Sequence, residues 1–232
     1  MTATYTDEHY VQMARKFSLM SYGRGVYLID TRSERFLYHT DHDLLLGRLA
    51  PEEFGGNCHH VFRSIIVQPE AEWLEQVVGS LVERLRGAQL EVLRQTVVCA
   101  HFHIRIQALP TMVQHKVVLL GCDEGARWPR YLLGEVSPSV SQKCQCYYGS
   151  PAGAFRSAWP KAEWVQLEKI GLSPQERTML RLAIQGFSVE DSARLMCRSV
   201  DSVKHYRRRL FTKLGCTSMQ QAVSIAATVG LV

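Results

Sequence analysis

Lys204, His205, Arg207, Arg208 and Arg209 crowd into one six-residue stretch of the chain. Lysine and arginine donate hydrogen bonds, accept none and stay charged, so this group suits an anionic partner. On a helical wheel at about 100° per residue, Val203, Tyr206, Leu210 and Leu214 cluster on one side. Asp201, Lys204, His205, Arg208, Arg209 and Thr212 lie opposite. One face can bury while the other presents cations. A helix fits the major groove of B-form DNA, where Lys and Arg reach guanine acceptors. Arg207, between the two faces, is placed for a phosphate. A solvated polar face is the plainer account, and the run Arg207-Arg-Arg209 weighs against it.

A second group of chemically capable residues lies on an extended stretch. In Val98-Cys-Ala-His-Phe-His-Ile-Arg-Ile106, alternation puts Cys99, His101, His103 and Arg105 on one face. Cys99, His101 and His103 could hold zinc or copper, with His59-His60 and Cys144-Gln-Cys146 to add to them. Neighbours at two-residue spacing lie too far apart for one ion without help from elsewhere. A half-buried strand with its polar residues outward explains the pattern without metal, and no cofactor is expected. No nucleophile elbow, phosphate loop, HExxH or paired-carboxylate motif occurs, so no catalytic residue and no enzyme is expected.

The charge distribution separates the two groups. Of the 232 residues, 27 are Lys or Arg and 22 are Asp or Glu, a net charge of +5. From Leu172 onward there are nine basic and four acidic residues, so the whole surplus of five falls there and the preceding 171 residues balance at 18 and 18. That asymmetry favours a separate C-terminal module facing a polyanion. With 46% apolar residues the chain can build a packed core. No run approaches the ~18–20 apolar residues of a membrane helix, and no signal-peptide pattern opens the chain. Seven cysteines at irregular spacing argue against a disulfide framework and for a reducing cytoplasm.

The elements that would carry these groups read as follows. Residues 6–22 form an amphipathic helix, with Tyr10, Met13, Ala14 and Phe17 on one stripe. Residues 25–30 and 35–40 form a hairpin around Asp30–Glu34. A helix runs from Pro69 to about Arg86, and strands cover 96–107 and 116–122. Residues 124–171, punctuated by proline, glycine and serine, read as an irregular connector. After it, helix starts are explicit. Ser173-Pro-Gln-Glu176 is a capping box, Ser188-Val-Glu-Asp191 repeats its logic, Ser199 caps a third helix, and Ser218-Met-Gln-Gln221 opens a fourth. Gly186, Gly215 and Gly230 fall where helices should stop. Four short helices in about 60 residues make a compact bundle containing a helix-turn-helix.

Residues 172–232 resemble the LuxR-type (GerE-like) helix-turn-helix domain. The likeness rests on Leu172-Ser-Pro-Gln-Glu-Arg177, Leu180-Arg-Leu182, Gly186-Phe-Ser188, Ala193, Ser202-Val-Lys-His-Tyr-Arg207 and Lys213-Leu-Gly215. It implies a helix-turn-helix from Ser188 to Arg207, with Lys204, His205 and Arg208 base-facing, and Ser188, Ser199, Ser202, Arg207 and Arg209 completing the contacts to double-stranded DNA. Cys197 stands where that family has its turn glycine, Arg198 where an aliphatic follows, and Ser192 where the first helix of the motif has an aliphatic. A left-handed Cys197 would cost about 1 kcal/mol. The resemblance also implies pairing through the last helix. There Ala222, Ile225, Ala226 and Val229 form an i, i+3, i+4, i+7 stripe, part of which must cover the domain's own core.

Residues 1–123 resemble a PAS-like sensor in the hairpin, in Gly47-Arg-Leu-Ala-Pro-Glu-Glu53 and in the later strands, although Gly87–Gln95 does not read as the further strand such a sheet needs. The expected fold is thus an α+β PAS-like domain (1–123), a connector (124–171) and an all-α four-helix LuxR-type domain (172–232). The expected function is sequence-specific transcriptional regulation by a cytoplasmic homodimer, with the sensor controlling or dimerising the C-terminal domain. An unidentified small-molecule ligand would sit among Tyr27, Phe36, Tyr38, Phe102 and Ile104, which are equally well explained as ordinary core. The alternative is a small-molecule or metal-binding sensor whose basic domain contacts a protein.

Overall fold

The computed structural model describes residues 6–41, 56–121, 128–151, 153–167, 171–228 and 231. Helix α1 (Asp7–Met20) opens with Asp7 and Glu8 at the end where the helix dipole favours acids. It lays Tyr10, Val11, Ala14 and Phe17 on the sheet. Strands β1 (Gly25–Asp30) and β2 (Arg35–His39) form the expected hairpin. Helix α2 (Cys58–Ile65) is capped by the Asn57 side chain, which accepts from the His59 amide at 2.8 Å. Then come α3 (Glu70–Leu85), α4 (Leu90–Arg94), β3 (Val97–Ile106) and β4 (Leu109–Leu120). The Gly47–Glu53 stretch lies outside the described residues.

Residues 124–171 are not an irregular connector. Within them run β5 (Tyr131–Pro138), β6 (Gln145–Ser150), β7 (Gly153–Ala158) and β8 (Lys161–Gln166). All the named strands pair antiparallel in one sheet of order β2-β1-β5-β4-β3-β6-β7-β8. The first five strands, with α2–α4 inserted between β2 and β3, give the PAS-like arrangement. The strand sought at Gly87–Gln95 is instead β5, and Leu90–Arg94 is helical. Prolines and glycines that read as breakers sit at strand ends and turns. Pro138 closes β5, Pro151 lies between β6 and β7, and Pro160 lies between β7 and β8.

The sheet buries both faces. Tyr27, Ile29, Ala100, Phe102, Ile104, Val113, Val136 and Cys146 pack under α2 and α3, against Val61's neighbours Cys58 and Ile65 and against Trp73 and Val77. On the reverse face α1 covers Val26, Leu28, Tyr131 and Leu133. The other half of that reverse face belongs to the C-terminal helices α5 (Pro174–Ile184), α6 (Val189–Leu195), α7 (Val200–Leu214) and α8 (Met219–Thr228). Tyr147 of β6, Ala154 of β7 and Leu167 share one core with Leu172, Leu180, Leu210, Leu214, Ala222, Ile225 and Ala226. Hydrogen bonds between described residues cross this junction. Arg156 Nη1 donates to the Leu214 carbonyl at 3.1 Å, Gln221 Nε2 to the Val140 carbonyl at 2.8 Å, and Ser224 Oγ to Gln114 Oε1 at 3.5 Å.

Tyr38 departs from its expected place. A register shift pairs Leu28 with Tyr38 but Ile29 with Phe36, so one extra residue sits in β2. Phe36 therefore stays with Tyr27 and Phe62, while Tyr38 turns to the α1 face and hydrogen-bonds Ser18 Oγ at 2.8 Å. No helix among the described residues is long and apolar enough to cross a membrane.

Gly134 stands opposite Tyr27 in the β1/β5 register, and the Tyr27 ring occupies the space a Cβ at 134 would need. Gly134→Ala should therefore destabilise the chain by about 1–3 kcal/mol, read as a lowered denaturant midpoint. An unchanged midpoint would mean that the ring can move aside.

Candidate nucleic-acid interface

The helix-turn-helix is built from its caps. Ser188 Oγ accepts from the Asp191 amide at 3.0 Å and opens α6. Ser199 Oγ accepts from the Ser202 amide at 3.2 Å and opens α7, with the Ser202 hydroxyl 2.8 Å away. The Ser188 and Ser199 hydroxyls serve the backbone first, the Ser202 hydroxyl meets that of Ser199, and Ser188 and Ser199 remain exposed. Between the helices Cys197 takes φ 50°, the left-handed turn anticipated where a glycine would be cheaper. Ser192, in place of an aliphatic, is fully buried and its hydroxyl has no hydrogen-bond partner among the described residues. At the far end α7 closes on left-handed Gly215 (φ 67°).

The wheel reading of α7 holds. Val203, Leu210 and Leu214 are fully buried and Tyr206 is half-buried, while Lys204, His205 and Arg208 are exposed together. His205 and Arg208 line a shallow groove with Thr212 and Lys213. Arg207 lies between the faces as expected, but its guanidinium sits 5.2 Å over the Phe211 ring and its Nε is buried.

Arg209 is turned toward α5. Its Nε lies 3.3 Å from Glu176 Oε1, and Lys213 Nζ lies 2.6 Å from Glu176 Oε2. Glu176 is fully buried and completes the capping box by accepting from the Ser173 amide at 2.7 Å. Burial alone would raise its carboxyl. Lys213 and the Ser173 donors outweigh that and hold it below the ordinary carboxylate value. The capping-box spacing marked Glu176 as a helix start. Nothing in the sequence tied it to cations more than thirty residues away.

The stripe expected to pair is covered. Ala222, Ile225 and Ala226 are at most 2% exposed and lie in the core shared with β6 and β7. Val229 and the stop glycine Gly230 lie outside the described residues.

The histidine strand does not converge on one point. His101 is buried and bonded to Ser139 Oγ at 2.8 Å, and Cys99 Sγ lies 3.6 Å from its Nε2. Burial, with Lys116 beyond it, pushes His101 down to about 4, so it is neutral at pH 7. His103 is drawn to the opposite side, where its Nδ1 meets Glu70 Oε1 at 2.8 Å. Cys58, Cys99, Cys144, Cys146, Cys197 and Cys216 carry free thiols.

Residues 171–226 match the family described as bacterial regulatory proteins, luxR family. This segment is a LuxR-family helix-turn-helix domain. No curated protein sequence matches the chain. Among solved structures, the Vibrio cholerae VqmA dimer in the absence of target DNA is similar over 93% of this chain and 87% of that one, at 16% identity and a TM-score of 0.34. The phage VqmA–DPO complex is similar over 95% and 89%, at 14% identity and a TM-score of 0.30. An RNA-binding light-oxygen-voltage receptor is similar over 87% of this chain and 47% of that one, at 12% identity and a TM-score of 0.34.

Glu176→Gln should cost about 2 kcal/mol at pH 7, the worth of hydrogen bonds to a charged group. Because the folded carboxyl lies below its ordinary value of 4.5, the native chain's advantage over this variant is full above that pH. It should shrink as the pH falls through the lower folded value. Urea unfolding of both proteins at pH 7 and at pH 3–4 checks this, and a constant difference would contradict it.

Proposed function

We propose that this chain is a sequence-specific DNA-binding transcriptional regulator, in which α7 reads the major groove and the N-terminal α+β domain governs how the helix-turn-helix is presented. The observation that carries this reading is the exposed trio Lys204, His205 and Arg208 on a helix whose other face is locked in a core, inside a segment matching the LuxR family. Lys204 and Arg208 have no acidic partner among the described residues, so their charge is available to DNA.

The roles follow from position. Lys204, His205 and Arg208 address base edges. Ser188, Ser199, Ser202 and Arg207 lie beside the groove and address phosphates, which fix register without reading sequence. Arg209, neutralised by Glu176, contributes less than its place in the Arg-Arg-Arg run suggested. The partner is double-stranded DNA and the acting species is a homodimer, because helix-turn-helix proteins match two half-sites about one turn apart. Pairing through Ala222, Ile225 and Ala226 requires α8 to leave the sheet. The docked arrangement is then the form in which this stripe is withheld.

The sensor reading rests on the aromatic core beneath α2 and α3. His115 stands among Tyr27, Phe62 and Phe102, with ring centroids 4.7–5.9 Å away. Burial lowers its basicity to about 3. Its Nδ1 is 3.4 Å from the Tyr27 hydroxyl and its Nε2 has no partner among the described residues. A polar group of a small ligand would satisfy that nitrogen only where the packed rings part to admit it.

Lys204→Ala and Arg208→Ala should each lose about 1–3 kcal/mol of discrimination at particular base pairs. Arg207→Ala should weaken binding to all sequences alike and lower the salt slope by about 1. Binding isotherms on specific and random duplexes at several salt concentrations measure both. Affinity that does not fall with salt would point to a protein partner for the basic domain instead.

A further inference from the structure

Where α3 begins, the chain gathers three metal-ligating side chains from three separate elements. Glu70 is the first residue of α3, His103 lies in β3, and Cys144 directly precedes β6. Their ligand atoms all lie within 4.8 Å of one another. His103 Nδ1 is 2.8 Å from Glu70 Oε1 and 3.8 Å from Cys144 Sγ. A tetrahedral zinc ion would hold its N and O ligands roughly 3.3 Å apart and its N and S ligands roughly 3.5 Å apart. Both separations therefore need adjustments of about half an ångström or less.

The carboxylate is already oriented. Glu70 Oε2 accepts from the His103 backbone amide at 2.7 Å, leaving Oε1 to face the ring and the thiol. A plain Glu–His ion pair would have no use for Cys144. A divalent cation would balance one thiolate and one carboxylate around a neutral imidazole. The cluster opens on a cleft of about 410 Å³ whose walls include Pro69, Gln142, Lys143 and Trp159. That cleft leaves room for a fourth ligand.

We propose that Glu70, His103 and Cys144 form a binding site for a borderline-soft divalent transition metal, with Zn²⁺ best matched to this sulfur–nitrogen–oxygen set and the fourth position open to the cleft. Binding replaces the S–H bond of Cys144 by a sulfur–metal bond, and the proton passes to solvent. This site does not depend on the DNA-binding reading.

Titration of the full-length chain with Co²⁺ tests the site. One equivalent should bind and give a near-ultraviolet sulfur-to-cobalt charge-transfer band. Cys144→Ser should abolish the band, while Cys197→Ser, altered at an exposed thiol in the α6–α7 turn, keeps it. Glu70→Gln, which can retain the bond from the His103 amide, should weaken Zn²⁺ binding by at least about tenfold. Circular dichroism verifies that each variant is folded, and Cys144→Ala replaces Cys144→Ser if that one is not. A band that survives loss of the Cys144 thiol, or Zn²⁺ binding no tighter than millimolar, overturns the proposal.

Discussion

A strand that carries apolar side chains on both faces has to be covered on both, and this sheet has such strands inside its edges. Every residue of β1 and all but the last of β6 are buried. Helices α2 and α3 cover one face along its length. The reverse face is divided, α1 taking the β1/β5 part and the C-terminal helices the β6/β7 part. Tyr147 is sealed from water only because Leu210, Leu214 and the α8 stripe lie against this face. Burying one aromatic side chain removes roughly 150–250 Å² from water, worth about 4–6 kcal/mol at 25 cal/mol per Å². The hydrogen bonds across the junction add about 1 kcal/mol each. Both contributions are offset by the freedom lost on docking.

The same constraint decides the fate of the polar residues on that face. Cys99, His101, Gln114 and Gln145 sit where an open sheet would show them to solvent, yet each is less than 9% exposed. They are accommodated by local bonds, His101 to Ser139 and Gln145 to Ser141. Imidazole survives there because burial keeps it neutral. His103, two residues on, escapes this cover and finds Glu70 and Cys144 at the edge of α3.

What could be read from the sequence follows how local its causes are. The caps at Ser173, Ser188 and Ser199, the stop at Gly215 and the amphipathic division of α7 each depend on residues within one or two turns, and each stands as read. The first hairpin and α3 were legible for the same reason. Strands β5–β8 were not, because Pro138, Pro151 and Pro160 read as breakers until their pairing partners are known. Alternation assigned Phe36 and Tyr38 to one face, and a bulge that only the pairing with β1 reveals separates them. Glu176 with Lys213, Arg156 with Leu214, and Glu70 with His103 and Cys144 are contacts between distant segments, and no local pattern signals them.

Helix α7 joins these layers. Its fifteen residues span about 22 Å at 1.5 Å per residue. The Leu214 carbonyl at its end is held by Arg156 of β7, and Gly215 leaves the room that the Arg156 guanidinium occupies. Lys213, directly before Leu214, and Arg209, more than a turn back, clasp the buried Glu176 of α5. In the middle turns of the same helix, Lys204, His205 and Arg208 face outward. Lys204 and Arg208 lie roughly two to three turns from the end fixed to the sheet, so a tilt at the β7 contact displaces this exposed face. The docked sheet thus fixes the position of α7 and covers the α8 stripe at the same time.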